Sequence, residues 1–198
     1  MEDLSVILVA IGCLVVLIGF TILALLVYSG LFETVTVGAG SPPIGEALIA
    51  YRFARGPYKE AGQTFTEIAH LAPDNKALGI YYDEPKRVPS HLTRYVVASV
   101  LSHDDQPVDE DLKKKFEAEG YKLLRLPSAT NVVKTSFPHI SSLSIFIGVF
   151  KVYPEMSAYV QDHKLCAHPY LEIYDGKTMH FMAPLARQDE FYVPEMKK

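Results

Sequence analysis

Residues 172–175 read EIYD, and residues 79–83 read GIYYD. Each closes a short alternating stretch on an acid, and each sits at the same place in a longer pattern. Upstream of GIYYD, residues 47–53 (ALIAYRF) suit a strand that Gly56-Pro57 breaks. Residues 60–71 follow, with Phe65, Ile68 and Leu71 at helical spacing and Pro73 beyond them. Residues 77–82 (ALGIYY) predict a strand closed by Asp83-Glu84-Pro85, and residues 95–101 (YVVASVL) predict another, rich in β-branched side chains.

The same order recurs around EIYD. Residues 131–137 (NVVKTSF) form a strand ended by Pro138. A long helix runs from Ser141 to about residue 165, with Pro154 allowing a kink near its middle. Residues 170–174 (YLEIY) are a strand turned by Asp175-Gly176, and residues 179–185 (MHFMAPL) pair back on it. Between the two units lie a helix over residues 109–119, stopped by Gly120, and a strand over residues 121–126 (YKLLRL). The fold class predicted is α+β, a duplicated strand–helix–strand–strand domain with one antiparallel sheet. Its helices cover one sheet face, and the other is expected to be open as a pseudo-symmetric cleft.

Ahead of the duplication, residues 4–27 read LSVILVAIGCLVVLIGFTILALLV, and the uncharged run extends through Phe32. As a helix of about 1.5 Å per residue this stretch spans roughly 36 Å, enough for a hydrocarbon core of about 30 Å. It has no polar face. A cleaved signal peptide would need a basic start and a shorter apolar core, whereas the chain begins Met1-Glu2-Asp3. The expectation is a retained anchor. The acidic flank, set against Arg52 and Arg55 downstream, orients residues 1–3 to the lumen and the domain to the cytosol. The organisation expected is an anchor at 4–27, a linker at 28–46 containing Gly38-Ala39-Gly40-Ser41-Pro42-Pro43, a domain at 47–187 and a C-terminal extension at 188–198. Pro194 with Phe191 and Tyr192 is expected to tie that extension back to the domain.

The net charge is −4, with no basic field to hold nucleic acid and no direct nucleic-acid site. Of the two cysteines, Cys13 lies in the apolar run and Cys166 in the domain, so the domain has no internal disulfide. That, and the absence of an Asn-x-Ser/Thr sequon, suits a reducing compartment.

The duplicated unit, with Leu171-Glu172-Ile173-Tyr174 and a closing strand ending Pro184-Leu185, resembles the gyrase-inhibitor-like domain, a fold also used as the effector-binding domain of multidrug-responsive transcription activators. A closer resemblance, over the whole chain, is to a family that places this domain behind an N-terminal anchor. It is carried by Ala39-Gly40-Ser41-Pro42-Pro43-Ile44, Tyr81-Tyr82-Asp83, Lys164-Leu165-Cys166-Ala167, Pro184-Leu185-Ala186-Arg187-Gln188 and Asp189-Glu190-Phe191-Tyr192-Val193-Pro194-Glu195-Met196-Lys197. The resemblance implies a single-pass membrane protein of the endoplasmic reticulum that acts as a receptor for selective autophagy. It also implies a nuclear-envelope adaptor that helps the valosin-containing AAA ATPase and a DNA-adduct protease clear topoisomerase–DNA adducts. In the family an acidic, Ser-rich tail docks on ubiquitin-like autophagosomal proteins by strand addition. No such tail is among these 198 residues, so that partner is expected through a segment absent from this chain, and this form by itself is expected to be a poor autophagy receptor.

In drug-binding members of the fold, a carboxylate on the closing strand faces cationic ligands; the matching position here is His180, a neutral imidazole near pH 7. Glu172 survives one strand earlier. On a period of two, Tyr170, Glu172 and Tyr174 share a face, as do His180 and Met182. Tyr81, Tyr95 and Val97 could join them. The candidate ligand-facing residues are therefore Tyr81, Tyr95, Glu172, Tyr174, His180 and Met182, an aromatic cup for a flat or cationic molecule; the alternative is a half-exposed sheet face covered by a helix or partner. Other chemistry is sparse. His103-Asp104-Asp105 reads as a solvated loop, and Asp109 as a helix cap. Cys166 with His163 and His168 lacks a fourth metal ligand. With no phosphate loop, no metalloprotease or hydrolase motif and no nucleophile–base pair, neither catalysis nor a cofactor is expected.

Overall fold

A computed structural model describes residues 2–196. Met1, in the expected lumenal N-terminus, and Lys197 and Lys198, in the expected extension, lie outside the described residues. The chain starts with α1 (Glu2–Tyr28), an unbroken apolar helix. Within Leu4–Tyr28 an 18-residue window has a mean hydropathy of 3.1 and none of it is buried, so the helix is long and apolar enough to cross a membrane.

Eight strands form one antiparallel sheet: β1 (Gly38–Gly40), β2 (Ala47–Arg55), β3 (Ala77–Tyr81), β4 (Arg94–His103), β5 (Lys122–Leu126), β6 (Val132–Pro138), β7 (Tyr170–Asp175) and β8 (Thr178–Pro184). Their spatial order is β1-β6-β8-β7-β3-β4-β2-β5. The two repeats meet at the centre, where β3 pairs with β7 and Gly79 stands opposite Glu172. The sheet is continuous across the duplication.

Among the described residues, three further α-helices lie on one sheet face: α2 (Ala61–Leu71), α3 (Glu110–Ala118) and α4 (Ser142–Asp162). Asp109 caps α3 by accepting from the backbone N–H of Asp111 and Leu112. Ser141 caps α4 in a capping box with Ser144. α4 runs as one helix through the exposed Pro154, which withholds an N–H only from the solvent side. Under α2 and α3 lie Ala50, Val97 and Leu101, against which α3 packs Phe116; under α4 lie Val133, Phe137, Met179 and Phe181.

The opposite face is not an open cleft. Ile49, Tyr51, Ile80, Ala98, Leu171, Ile173 and Met182 are buried there beneath Ile44, Phe191 and Val193. Residues 188–196 therefore form a third layer, with Phe191 1 % and Val193 0 % exposed. The Tyr51 hydroxyl donates to Glu195 and the Tyr82 hydroxyl to the Phe191 carbonyl, fixing that layer to the sheet. What sequence reading separates as an extension is part of the core, because two large apolar side chains at alternate positions leave water by lying on the sheet.

The expected linker is also docked. Residues 38–40 add the edge strand β1 to β6, and the Thr135 hydroxyl donates to the Thr36 carbonyl. Val35 and Val37 pack into the α4-side core. At the exit from α1, Gly30 has φ +100°, and a Cβ there would lie 2.9 Å from the Phe137 ring. Only glycine combines that backbone with that approach. Ser29 is buried, its hydroxyl 2.8 Å from that of Ser141. The Lys151 ammonium donates to the carbonyls of Leu31 and Glu33 at 2.7 and 2.6 Å. The apolar helix is thus joined to the domain by a pinned turn rather than a tether.

Candidate functional site: a buried carboxylate among tyrosines

Side chains alternate along each strand, so register decides which residues meet. Glu172 pairs with Gly79 on one side and Phe181 on the other. All three face the helices. His180 instead stands opposite Ile173, and Met182 opposite Leu171, which puts both on the face covered by residues 188–196. The six candidates are therefore divided. Tyr81, Tyr95, Glu172 and Tyr174 lie on the helix face; His180 and Met182 lie on the other and cannot join a cup with them. Burial holds the His180 imidazole below its ordinary range, so it stays neutral near pH 7.

Glu172 is 3 % exposed. Its two oxygens accept hydrogen bonds of 2.7 Å from the hydroxyls of Tyr153, on α4, and Tyr174, two residues along its own strand. The Tyr81 hydroxyl turns toward the same carboxylate. Gly79 makes this possible: a Cβ there would lie 2.8–2.9 Å from the Tyr81 ring and hydroxyl, so the ring lies across the space the glycine leaves. Burial raises the carboxyl above its usual range, while the tyrosine hydrogen bonds pull it back. Burial and the neighbouring carboxylate push Tyr81, Tyr153 and Tyr174 far up, so all three remain protonated donors.

An aromatic slab surrounds the cluster. Tyr58 meets Tyr81 edge-on at 4.9 Å, Phe65 of α2 meets Tyr174 at 5.1 Å, and Tyr153 meets Tyr170 at 5.4 Å. Tyr95 stacks beyond Tyr81 at 6.5 Å and reaches the carboxylate only through it. At one end Asp83 accepts from the Arg94 backbone N–H, Nε and Nη2, and exchanges hydrogen bonds with Tyr58 through its own backbone. Burial moves the Tyr58 hydroxyl up to about 12. The site is a buried acceptor whose two oxygens are each engaged by a neutral donor.

Tyr153 is the donor that sequence reading does not single out. The other titratable groups stay apart. His103 bonds its neighbour Asp104, while His163 Nδ1 pairs with the Tyr159 carbonyl of its own helix and His168 Nδ1 with the Tyr192 hydroxyl. Cys166 is exposed. Among the described residues, no group of three or more His, Cys, Asp or Glu side chains could hold a metal.

Together, the duplicated sheet, the three helices on one face and the buried central glutamate define a gyrase-inhibitor-like α+β domain behind an apolar N-terminal helix. The C-terminal domain of EcmrR has this fold at a TM-score of 0.50 and 10 % identity, over 77 % of this chain and 98 % of that one. In sequence the chain is a homologue of testis-expressed protein 264. It is 42 % identical to the human protein over 188 residues, which are 95 % of this chain and 60 % of that protein. It is 42 % identical to the mouse homologue over 171 residues, 86 % of this chain and 55 % of that one. The chain thus spans rather more than half the length of these relatives. No family model matches it.

Proposed function

We propose that this chain is the anchor and folded domain of a single-pass receptor or adaptor of the endoplasmic reticulum membrane, with a lumenal N-terminus and a cytosolic domain. The observation that carries this reading is α1: a charge-free span of 25 residues, Leu4–Tyr28, with none buried, joined without slack to a domain with its own core. Its role is selective autophagy of the reticulum (reticulophagy), with a further place at the nuclear envelope beside the valosin-containing AAA ATPase and a DNA-adduct protease. The resemblance to testis-expressed protein 264 supports that role. The domain is a scaffold and not a catalyst, in keeping with a central carboxylate whose two oxygens are engaged by its own tyrosines. Deleting the gene should slow starvation-induced turnover of a reticulum membrane marker; restoring residues 1–198 joined to the acidic tail of the relatives should recover the rate, and residues 1–198 by themselves should recover little of it. Unchanged turnover in the deletion contradicts the receptor reading.

A second reading is small-molecule sensing on the helix face, favoured by a carboxylate set in an aromatic slab. A ligand for the folded state raises the melting temperature by mass action. A saturable rise with flat aromatic cations, abolished in Glu172→Gln, would select this reading; no rise with any of them favours the scaffold.

A further inference from the structure

α4 buries one side on the sheet, through Ser144, Ile147, Gly148, Val152 and Met156. Its outward side should then be polar, and over its second half it is, with Glu155 and Asp162 exposed. Over its first turns it is not. Phe146 is 72 % exposed and Phe150 83 %, with Leu143 and Val149 beside them. Residues 140–150 (ISSLSIFIGVF) carry no charge. At its edge the Lys151 ammonium is occupied by backbone carbonyls. Exposed aromatic surface of this kind marks a binding face.

Its position says what covers it. The N-cap of this helix, Ser141, touches Ser29, one residue past the end of α1. The connecting turn adds Phe32, 74 % exposed, and Leu31 lines a groove with Phe146, Ile147, Phe150 and Lys151. The apolar surface of α1 therefore continues through Leu31 and Phe32 onto Phe146 and Phe150 of α4, with Lys151 and the exposed Glu33 at its edge, and the pinned turn keeps the two together.

We propose that the first turns of α4, with Phe32, lie in the headgroup–acyl boundary of the leaflet from which α1 emerges. Phe146 and Phe150 are the inserted side chains. Burying apolar surface at that depth drives the contact. Among the described residues the face offers no basic side chain besides the occupied Lys151, so the contact needs no anionic lipid and resists salt. The domain then sits on the membrane at two points, a spanning helix and an interfacial one. This rests on reading α1 as a membrane anchor.

The chain has no tryptophan, so one substitution gives a single fluorescent reporter. Three variants of the full chain in phosphatidylcholine nanodiscs, with bromines at shallow or deep acyl positions, test the idea: Phe20→Trp in α1, Phe150→Trp on the patch, and Leu92→Trp on a distant surface turn. All three sites are exposed, so the fold is kept. The expected result is deep quenching at position 20, and blue-shifted emission quenched best by shallow bromines at position 150. Position 92 should show no quenching, and high salt should change none of these. Quenching at 20 without quenching at 150 overturns the proposal while leaving the anchor intact; a blue shift at 150 without bromine quenching then points to a protein on this face. Absence of quenching at 20 removes the anchor reading itself, and the proposal with it.

Discussion

Ser29 and Ser141 share a 2.8 Å hydrogen bond between their hydroxyls across 112 residues of chain. Ser29 follows the apolar helix and Ser141 caps α4, so one contact ties the exit of α1 to the start of the helix that covers the second repeat. Ser141→Ala removes the cap and that contact together, and should cost about 1 kcal/mol or somewhat more. Denaturant unfolding in detergent measures it. Hydrogen exchange should rise in residues 29–35 and in the first turn of α4 ahead of the rest.

Gly79→Ala should destabilise by about 1–3 kcal/mol, as overpacking does in a filled core. The added methyl meets the Tyr81 ring, which is held by Tyr58 and by the strand it sits on. Adding Tyr81→Phe does not relieve the clash, because ring carbons make the nearest approach, whereas Tyr81→Ala should relieve it at the cost of a cavity. A double-mutant cycle separates the two effects.

Glu172 should give the stability curve a distinct slope. Its folded carboxyl titrates above the ordinary 4.5 because of burial, so the native state holds the proton more tightly than the unfolded chain. The stabilisation from protonation is fully present below about 4.5 and is lost as pH rises through the folded value. Relative to Glu172→Gln, the natural protein should therefore lose stability as pH rises through that window. Chemical denaturation of both at several pH values reads the difference; parallel curves would contradict it.

Asp83 should act in the opposite sense. Hydrogen bonds from Arg94 hold its carboxyl below the ordinary 3.8, so its contribution is present above that value and lost as pH falls through the folded one. Its side chain is 6 % exposed, and Asp83→Ala also leaves the Arg94 backbone N–H without its acceptor. A loss of about 1.5–3 kcal/mol at neutral pH is expected, shrinking in strong acid.

Much of the fold was legible because strands and helices here carry clear periods and hard stops. Gly56-Pro57, Asp83-Glu84-Pro85, Pro127 and Pro138 mark real ends, and the two repeats stand out between them. β1 was hidden because Gly38-Ala39-Gly40 has no side-chain pattern; the edge of β6 and the burial of Val35 and Val37 make it a strand. The site divides the same way. Tyr170, Glu172 and Tyr174 do share a face, as period two within one strand requires. The relation of Glu172 to His180 needed the register between strands, and a shift of one residue there exchanges the faces. Tyr153 escaped because its bond to Glu172 runs from α4 to β7, and helical periodicity does not specify which strand residue a helix side chain meets.

The most direct measurement is protease protection of the full chain translated into sealed reticulum microsomes. If α1 is retained as an anchor with the acidic end in the lumen, the protein stays with the membranes through alkaline carbonate, and added protease digests the domain without detergent. A domain protected until detergent is added, or released by carbonate after loss of residues 4–27, would contradict the account.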